Sequence, residues 1–288
     1  MNRRAFLGAS TLAVATASLA AVPLAGTARA APAGPAPGRP APATRPLTRR
    51  GTAELLERIQ RAHGGRRWRD ARVVTADVTY GGPFWALKGV PDVVGTDRVV
   101  ADVHRQHIRL TRPSGHVIEF DKRADLVTVT DPHGAVQRLK HPRASFDGFT
   151  ATSPWTTAQA GYFRAYATWL YLIEAYVFTY PGVEITEIEP WNENGETWRV
   201  LRVTFPRTVD AHSTTQLYYF DAQGFMVRQD YEPEVSGSLP IAHYQPGRTD
   251  RHGAVITTDH EVYSRNPDRT PNRSLLRISV GVSDISLH

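Results

Sequence analysis

The chain has no cysteine and only two methionines in 288 residues. Without thiols it can form no disulfide, no thiolate metal site and no cysteine nucleophile, and it cannot carry a lipid on a lipobox cysteine. Several short signatures of common chemistry are missing as well. No Gly-Lys-Ser/Thr loop could cradle phosphate, no Gly-x-Ser-x-Gly elbow presents a nucleophile, and no His-Glu-x-x-His helix offers a zinc site. None of these patterns calls for a cofactor, and none is expected. Acidic residues are absent from the first fifty positions, which hold seven arginines. That gap changes the meaning of the net charge. A value of +6 and a pI near 9.7 suggest nucleic acid or an anionic membrane as partner. Beyond residue 50, however, 27 basic residues face 28 acidic ones, a net of −1. The basicity belongs to the amino terminus, and nucleic acid drops out as an expected partner.

What the amino terminus does contain reads as an address. Arg3-Arg4 is followed by one uncharged position and then Phe6-Leu7, the pattern of a twin-arginine export signal. A weakly apolar run follows to Leu24, and Ala28-Arg29-Ala30 fits the small-x-small rule for cleavage. Residues 1–30 are therefore expected to be a signal, with the twin-arginine export machinery and a signal peptidase as partners. A secreted or extracytoplasmic location follows, with no membrane span after cleavage. Export of a folded chain agrees with the lack of cysteine, because folding finishes in a reducing compartment. Residues 31–50 hold six Pro, two Gly and four Arg with Leu47 as the one large apolar side chain. Such a stretch cannot bury enough apolar area to offset its ordering entropy, so an extended, partly polyproline-like linker is expected.

Residues 51–288 read as one domain. Thr52 can cap a short helix whose Leu55, Leu56, Ile59 and Ala62 share a face, ended by Gly64-Gly65. Period-two segments follow at 73–80, 85–88, 96–103, 106–111, 116–120 and 126–130, separated by turn sequences such as Pro113-Ser114-Gly115. A helix over 157–175 interrupts them, with Tyr162, Tyr166, Trp169, Leu170 and Ile173 on one continuous face. Strands resume at 183–188, 197–205, 214–220, 225–231, 255–263 and 275–287, and Asp221-Ala-Gln-Gly224 reads as a hairpin turn. Short connections make neighbours antiparallel. The expected fold is α+β: a large curved antiparallel sheet, an incomplete β-barrel, wrapped around two or three helices.

Three groups of side chains could carry function. His104, His107, His116, His133 and His141 are potential metal ligands, but His104 and His107 point to opposite faces of a strand, so no metal site is expected. His212, Asp230, Tyr231 and His243 flank a predicted hairpin that places His212 near Asp230 or Tyr231; a His–Asp couple with Ser213 or Tyr231 could do acid–base or nucleophilic work. The same groups could equally satisfy one another at a sheet end. Phe84, Trp85, Tyr162, Phe163, Tyr166 and Trp169 concentrate around the long helix, either as core or as the lining of an apolar pocket.

Several stretches together carry a resemblance. Ala62-His63-Gly64-Gly65 with Trp68 and Gly82-Pro83-Phe84-Trp85-Ala86-Leu87-Lys88-Gly89 begin it; Tyr162-Phe163 and Trp198-Arg-Val-Leu-Arg-Val-Thr-Phe-Pro206 continue it. His212-Ser213, Gln216-Leu-Tyr-Tyr-Phe-Asp221, Gly224-Phe-Met-Val-Arg-Gln-Asp230-Tyr231 and Ala242-His243-Tyr244 complete it. The pattern resembles a group of exported bacterial proteins with the half-barrel fold of periplasmic lipoprotein carriers and outer-membrane lipoprotein-sorting proteins. The resemblance implies an incomplete barrel that holds an acyl chain against a helix, and it names a fold rather than a reaction. The missing lipobox cysteine means that this chain is not itself a lipoprotein. Three readings follow. One is a secreted binding protein or carrier for a lipid or other apolar ligand held between sheet and aromatic helix. Another is a secreted hydrolase or cyclase/isomerase using the His/Asp/Tyr group. The last is a non-catalytic cell-surface interaction module.

Overall fold

The computed structural model describes residues 47–288; the arginine-led leader and most of the proline-rich linker lie outside the described residues. The first element, α1 (Arg49–Ala62), is capped by the Thr48 hydroxyl, which accepts from the Gly51 amide at 3.1 Å. The expected cap, Thr52, instead lies inside the helix and accepts from the Glu187 amide at 3.0 Å, tying α1 to a strand edge. Leu55 and Ile59 are buried as their spacing requires. Gly64 ends the helix at φ +74°, where an added Cβ would sit 1.6 Å from the Gly253 carbonyl oxygen. No other residue fits that close approach.

A short α2 (Gly65–Asp70) leads into β1 (Val73–Gly81), whose residues alternate between buried and more accessible sides. The expected strand at 85–88 is instead one helical turn, α3 (Phe84–Leu87), entered through Pro83 at φ −75°. A four-residue apolar run has no periodicity with which to tell the two apart. Five strands then meander: β2 (Gly95–Asp102), β3 (His107–Thr111), β4 (Val117–Asp121), β5 (Leu126–Thr130) and β6 (Val136–Lys140). The sequence pattern missed β6, an edge strand with no buried residue that displays Arg138 and Lys140, charges that discourage edge-to-edge pairing.

Next comes α4 (Thr157–Val177), opened by a reciprocal capping box: the Gln159 amide donates to Thr156 Oγ1 at 3.2 Å and the Thr156 amide to Gln159 Oε1 at 2.9 Å. The second meander is β7 (Glu184–Glu193), β8 (Glu196–Thr204), β9 (Thr215–Phe220), β10 (Met226–Tyr231), β11 (Ile241–Arg251) and β12 (Ala254–Arg265); the two-residue β13 (Pro271–Asn272) and β14 (Ile278–Leu287) close the chain. Gly224 takes φ +93° in the β9–β10 hairpin, as the turn sequence predicts. The sequence pattern also missed β11 and the two-residue β13. In β11, Pro246-Gly247 argues against a regular strand, and the pairing with β12 shifts register on both sides of Gly247 to pass it.

All neighbours pair antiparallel in the order β6-β5-β4-β3-β2-β1-β14-β12-β11-β10-β9-β8-β7, with β13 on the flank of β12. Pairing of β1 with β14 joins the two meanders, and the sheet stays open between β6 and β7. Because α4 connects those two free edges, it must cross the concave face. Twenty of its 21 residues are buried. A helix apolar on nearly every side needs cover all round, and the wrapping sheet supplies it. Of the four helices among the described residues, α1 and α2 pack against α4 and strands of the second half, and α3 lies beside the 91–93 turn. No helix among the described residues is long and apolar enough to cross a membrane.

Candidate functional site

Strand alternation divides the predicted His/Asp/Tyr group. Tyr231 faces the concave side and stacks on His212 with ring centroids 4.2 Å apart. Asp230, one residue earlier, faces the opposite side of the sheet. There it accepts from Arg228 Nε at 2.7 Å, Tyr219 Oη at 2.6 Å and Arg265 Nη1 at 3.1 Å. The expected His212–Asp230 couple does not form, because a strand sends successive side chains to opposite faces.

The remaining three belong to a buried polar network. His212 Nδ1 meets Tyr166 Oη at 3.2 Å and its Nε2 meets Tyr171 Oη at 3.0 Å. Tyr231 Oη lies 3.3 Å from His243 Nδ1, and His243 Nε2 lies 3.0 Å from His260 Nδ1. Glu174 completes it, accepting from Gln245 Nε2 at 2.9 Å and from Gln229 Nε2. Burial pushes His212 and His260 down to about 3, with the Arg143 charge helping at His212. His243 is held well below its ordinary range by burial and by its two histidine neighbours. Burial also pushes the Glu174 carboxyl well above its usual range, against a weaker opposing pull from Gln245. At neutral pH every member is therefore uncharged. Imidazoles that protonate only in strong acid are poor general bases at pH 7. The void beside Tyr171 and Glu174 holds about 10 Å³, near the space one water needs.

The six predicted aromatics are packed rather than arranged around a chamber. Phe84, Trp85, Trp155 and Phe163 interlock, with Phe84 5.3 Å from Trp155 and 5.9 Å from Phe163. Tyr162 donates to Asp210 Oδ2 at 2.8 Å, and Trp169 donates to the Asp102 carbonyl at 2.8 Å on another side of α4. The space that Phe84 and Phe163 share with Tyr231, Ile241 and Val262 amounts to about 20 Å³. The five scattered histidines also find separate partners: His104 sits by Tyr176, His107 by Glu119, His116 by Ser114 and His141 by Asp125, while His133 is exposed in a turn. No three His, Asp or Glu side chains converge as metal ligands among the described residues.

One of the ligand-sized recesses of the described residues, smaller than two more heavily charged ones beside α1–α2 and beside Arg143 and Asp210, borders the N-terminal part of α4. A cleft of about 450 Å³ opens between Thr157, Ala160 and Arg164 of the helix and the concave faces of β2–β5, walled by the 89–93 turn. Val90, Val93, Leu110, Ile118 and Val129 line it, and Gly161 is where helix and sheet approach closely, since an added Cβ would lie 3.2 Å from Ile118. Its floor is charged. Asp97 accepts from Arg112 Nε at 2.8 Å and from Arg164 Nη1 at 2.5 Å. Arg112 is fully committed, since its two terminal nitrogens donate to the carbonyls of Asp92 and Val93. Arg164 is not: it is only 6% exposed, and its Nε–H has no partner. Its guanidinium also lies over the Tyr80 ring, 5.4 Å from the centroid.

Neither Asp97 nor Arg164 figured among the predicted site residues. The signal was present in α4: Arg164 and Glu174 are charged types in a helix otherwise apolar over most of its surface, and a buried charge demands a partner. The partners come from strands about 67 and 55 residues distant, which no local pattern connects.

No family model matches the sequence, and no curated protein matches it. Similar shapes do occur among solved structures. A LolA-superfamily protein from Nitrosomonas europaea is 14% identical, covers 82% of this chain and 93% of its own, and superposes with a TM-score of 0.48. The corresponding values for a DUF1329-family protein from Desulfovibrio piger are 11%, 82%, 92% and 0.47. A candidate outer-membrane lipoprotein-sorting domain from Vibrio parahaemolyticus gives 11%, 83%, 93% and 0.46. The chain is similar to these lipoprotein-carrier-like folds. No ligand or partner transfers from them at such identities.

Proposed function

We propose that this protein is an exported, single-domain binder of an apolar ligand, seated between the N-terminal half of α4 and β2–β5. The observation that carries the reading is the 450 Å³ cleft walled by Val90, Val93, Leu110, Ile118 and Val129. Its volume falls within the range of about 300–1,000 Å³ typical of small-molecule sites. The twin-arginine leader and the proline-rich tether support an extracytoplasmic role, and the near-neutral domain has no charge excess to draw nucleic acid. The six aromatics then serve as backing: Tyr80, over which Arg164 lies, packs edge-on against Trp85 at 6.2 Å, so the ring cluster props up the cleft floor.

The test is native mass spectrometry of protein purified from its own host, paired with thermal unfolding against long-chain alcohols, esters and acids. A bound mass is expected, together with a stabilisation of about 2.7 kcal/mol at a hundredfold excess over Kd. Only the apo mass, with no ligand in the panel shifting Tm, would overturn the reading.

A further inference from the structure

The floor of the cleft holds more positive charge than its own groups neutralise. Two guanidiniums, Arg112 and Arg164, share the single Asp97 carboxylate, and each occupies one of its oxygens. Asp97 and Arg164 are 1% and 6% exposed, so neither charge is discharged by water. The next acid in the lining, Asp92, is exposed at the rim and holds Arg112 through its carbonyl, while Ser114 and His116 pair with each other on the same rim. Each nitrogen of Arg112 has a partner, whereas the buried Nε–H of Arg164 is idle. Buried charged donors are ordinarily satisfied, and this idle one belongs to a side chain that lines a ligand-sized cleft.

We propose that the ligand is an amphiphile with a carboxylate head, which Arg164 receives on its free Nε–H while the chain lies along Leu110, Ile118 and Val129. This inference rests on the binding function proposed above and narrows it to a chemical class. A carboxylate supplies the second negative charge that the Arg112–Asp97–Arg164 set lacks, and it accepts from a guanidinium edge with good geometry. Arg112, held by Asp97 and two carbonyls, acts as a positioning residue that keeps Asp97 from occupying both edges of Arg164.

Hexadecanoic acid, hexadecanol and methyl hexadecanoate are matched probes in chain length. Their binding to the full domain is measured by calorimetry and by displacement of a fluorescent fatty acid, at a pH where the acid is ionised. The acid is expected to bind at least tenfold more tightly than the other two. R164Q is expected to abolish the tenfold advantage of the acid over the alcohol, whatever it does to the affinity they share. If R164Q fails to fold, D97N/R164Q removes both members of the buried pair and makes the same comparison. Equal affinity of acid and alcohol for the native chain would overturn the carboxylate assignment and leave an apolar binder standing. An acid preference that survives both variants would overturn the role of Arg164. Failure of all three probes to bind would count against the binding function itself, and this inference would fall with it.

Discussion

The two halves of α4 are equally buried yet solve opposite problems. From its middle to its C-terminal end, Tyr166, Tyr171 and Glu174 meet His212, His243, His260 and two glutamines in a network whose titratable members are all held neutral. Only about 10 Å³ of space remains there. In its N-terminal half Arg164 keeps its charge beside Asp97, retains an idle donor, and borders about 450 Å³ of room. Polarity in a protein interior is therefore not by itself a sign of function. Neutral, mutually satisfied groups specify packing, whereas unspent charge next to open space is what a ligand could use.

Acid should separate the two halves most strongly. His212 and His260 titrate at about 3 in the folded chain against an ordinary value of 6.5, and His243 and His63 are shifted in the same direction. The unfolded chain therefore binds more protons below pH 6.5, and stability is lost as pH falls from there towards 3. Each buried histidine contributes up to about 1.4 kcal/mol per pH unit to that loss. Glu174 has the opposite sign: its raised value adds stability that is present below 4.5 and fades as pH rises towards its folded value. With several histidines against one carboxyl, acidification from pH 6.5 to 4.5 should lower the urea midpoint steeply. His260→Leu should flatten that slope; an unchanged slope would remove the histidines from the explanation.

Packing comes next in size. Tyr166→Ala should cost about 3–5 kcal/mol, since it empties an enclosed site and leaves His212 Nδ1 without its partner. Val129→Ala, on the cleft wall, should cost clearly less, because it removes only two methyl groups and breaks no hydrogen bond. Equal costs by chemical denaturation would mean that the cleft is as tightly packed as the network.

Polar substitutions at the two charged-type residues of α4 sharpen the contrast further. R164Q should cost about 1.5–3 kcal/mol in the absence of ligand, because a hydrogen bond between charged groups is lost while Arg112 still neutralises Asp97. The smallest effect belongs to Glu174→Gln. The native carboxyl is protonated at neutral pH, so a neutral amide of the same shape should change stability by less than about 1 kcal/mol. A large loss for Glu174→Gln would show that the carboxyl is ionised in place.

Much of the frame could be read directly. Period-two runs separated by Gly, Pro and Asp located eleven of the fourteen strands among the described residues to within a few residues, and Gly224 and Gly64 stand where turns require positive φ. The failures have specific causes. Phe84–Leu87 is too short to display a period, β6 buries none of its side chains, and β11 contains a proline that only a bulge can accommodate. Among the site residues, His212, Tyr231 and His243 do come together, and Asp230 does not, because the hairpin argument fixed neighbours along the sheet without fixing the face. The aromatic stripe was recognised, but whether rings enclose a chamber or fill it depends on fractions of an ångström in packing, which no spacing encodes.

The charge with which the sequence opens a false trail is settled by position alone. Seven arginines without an acid fall in the first fifty residues, and the rest of the sequence is nearly neutral. Local pattern likewise determines the strands, the capped helix and the antiparallel class, since these depend on neighbours a few residues apart. Only the tertiary structure decided that Arg164 lies between Asp97 and Tyr80 with an idle donor, and that a ligand-sized cleft opens beside it. Those facts rest on contacts between distant segments, and their outcome turns on register, face and volume, which become definite only when the sheet closes around the helix.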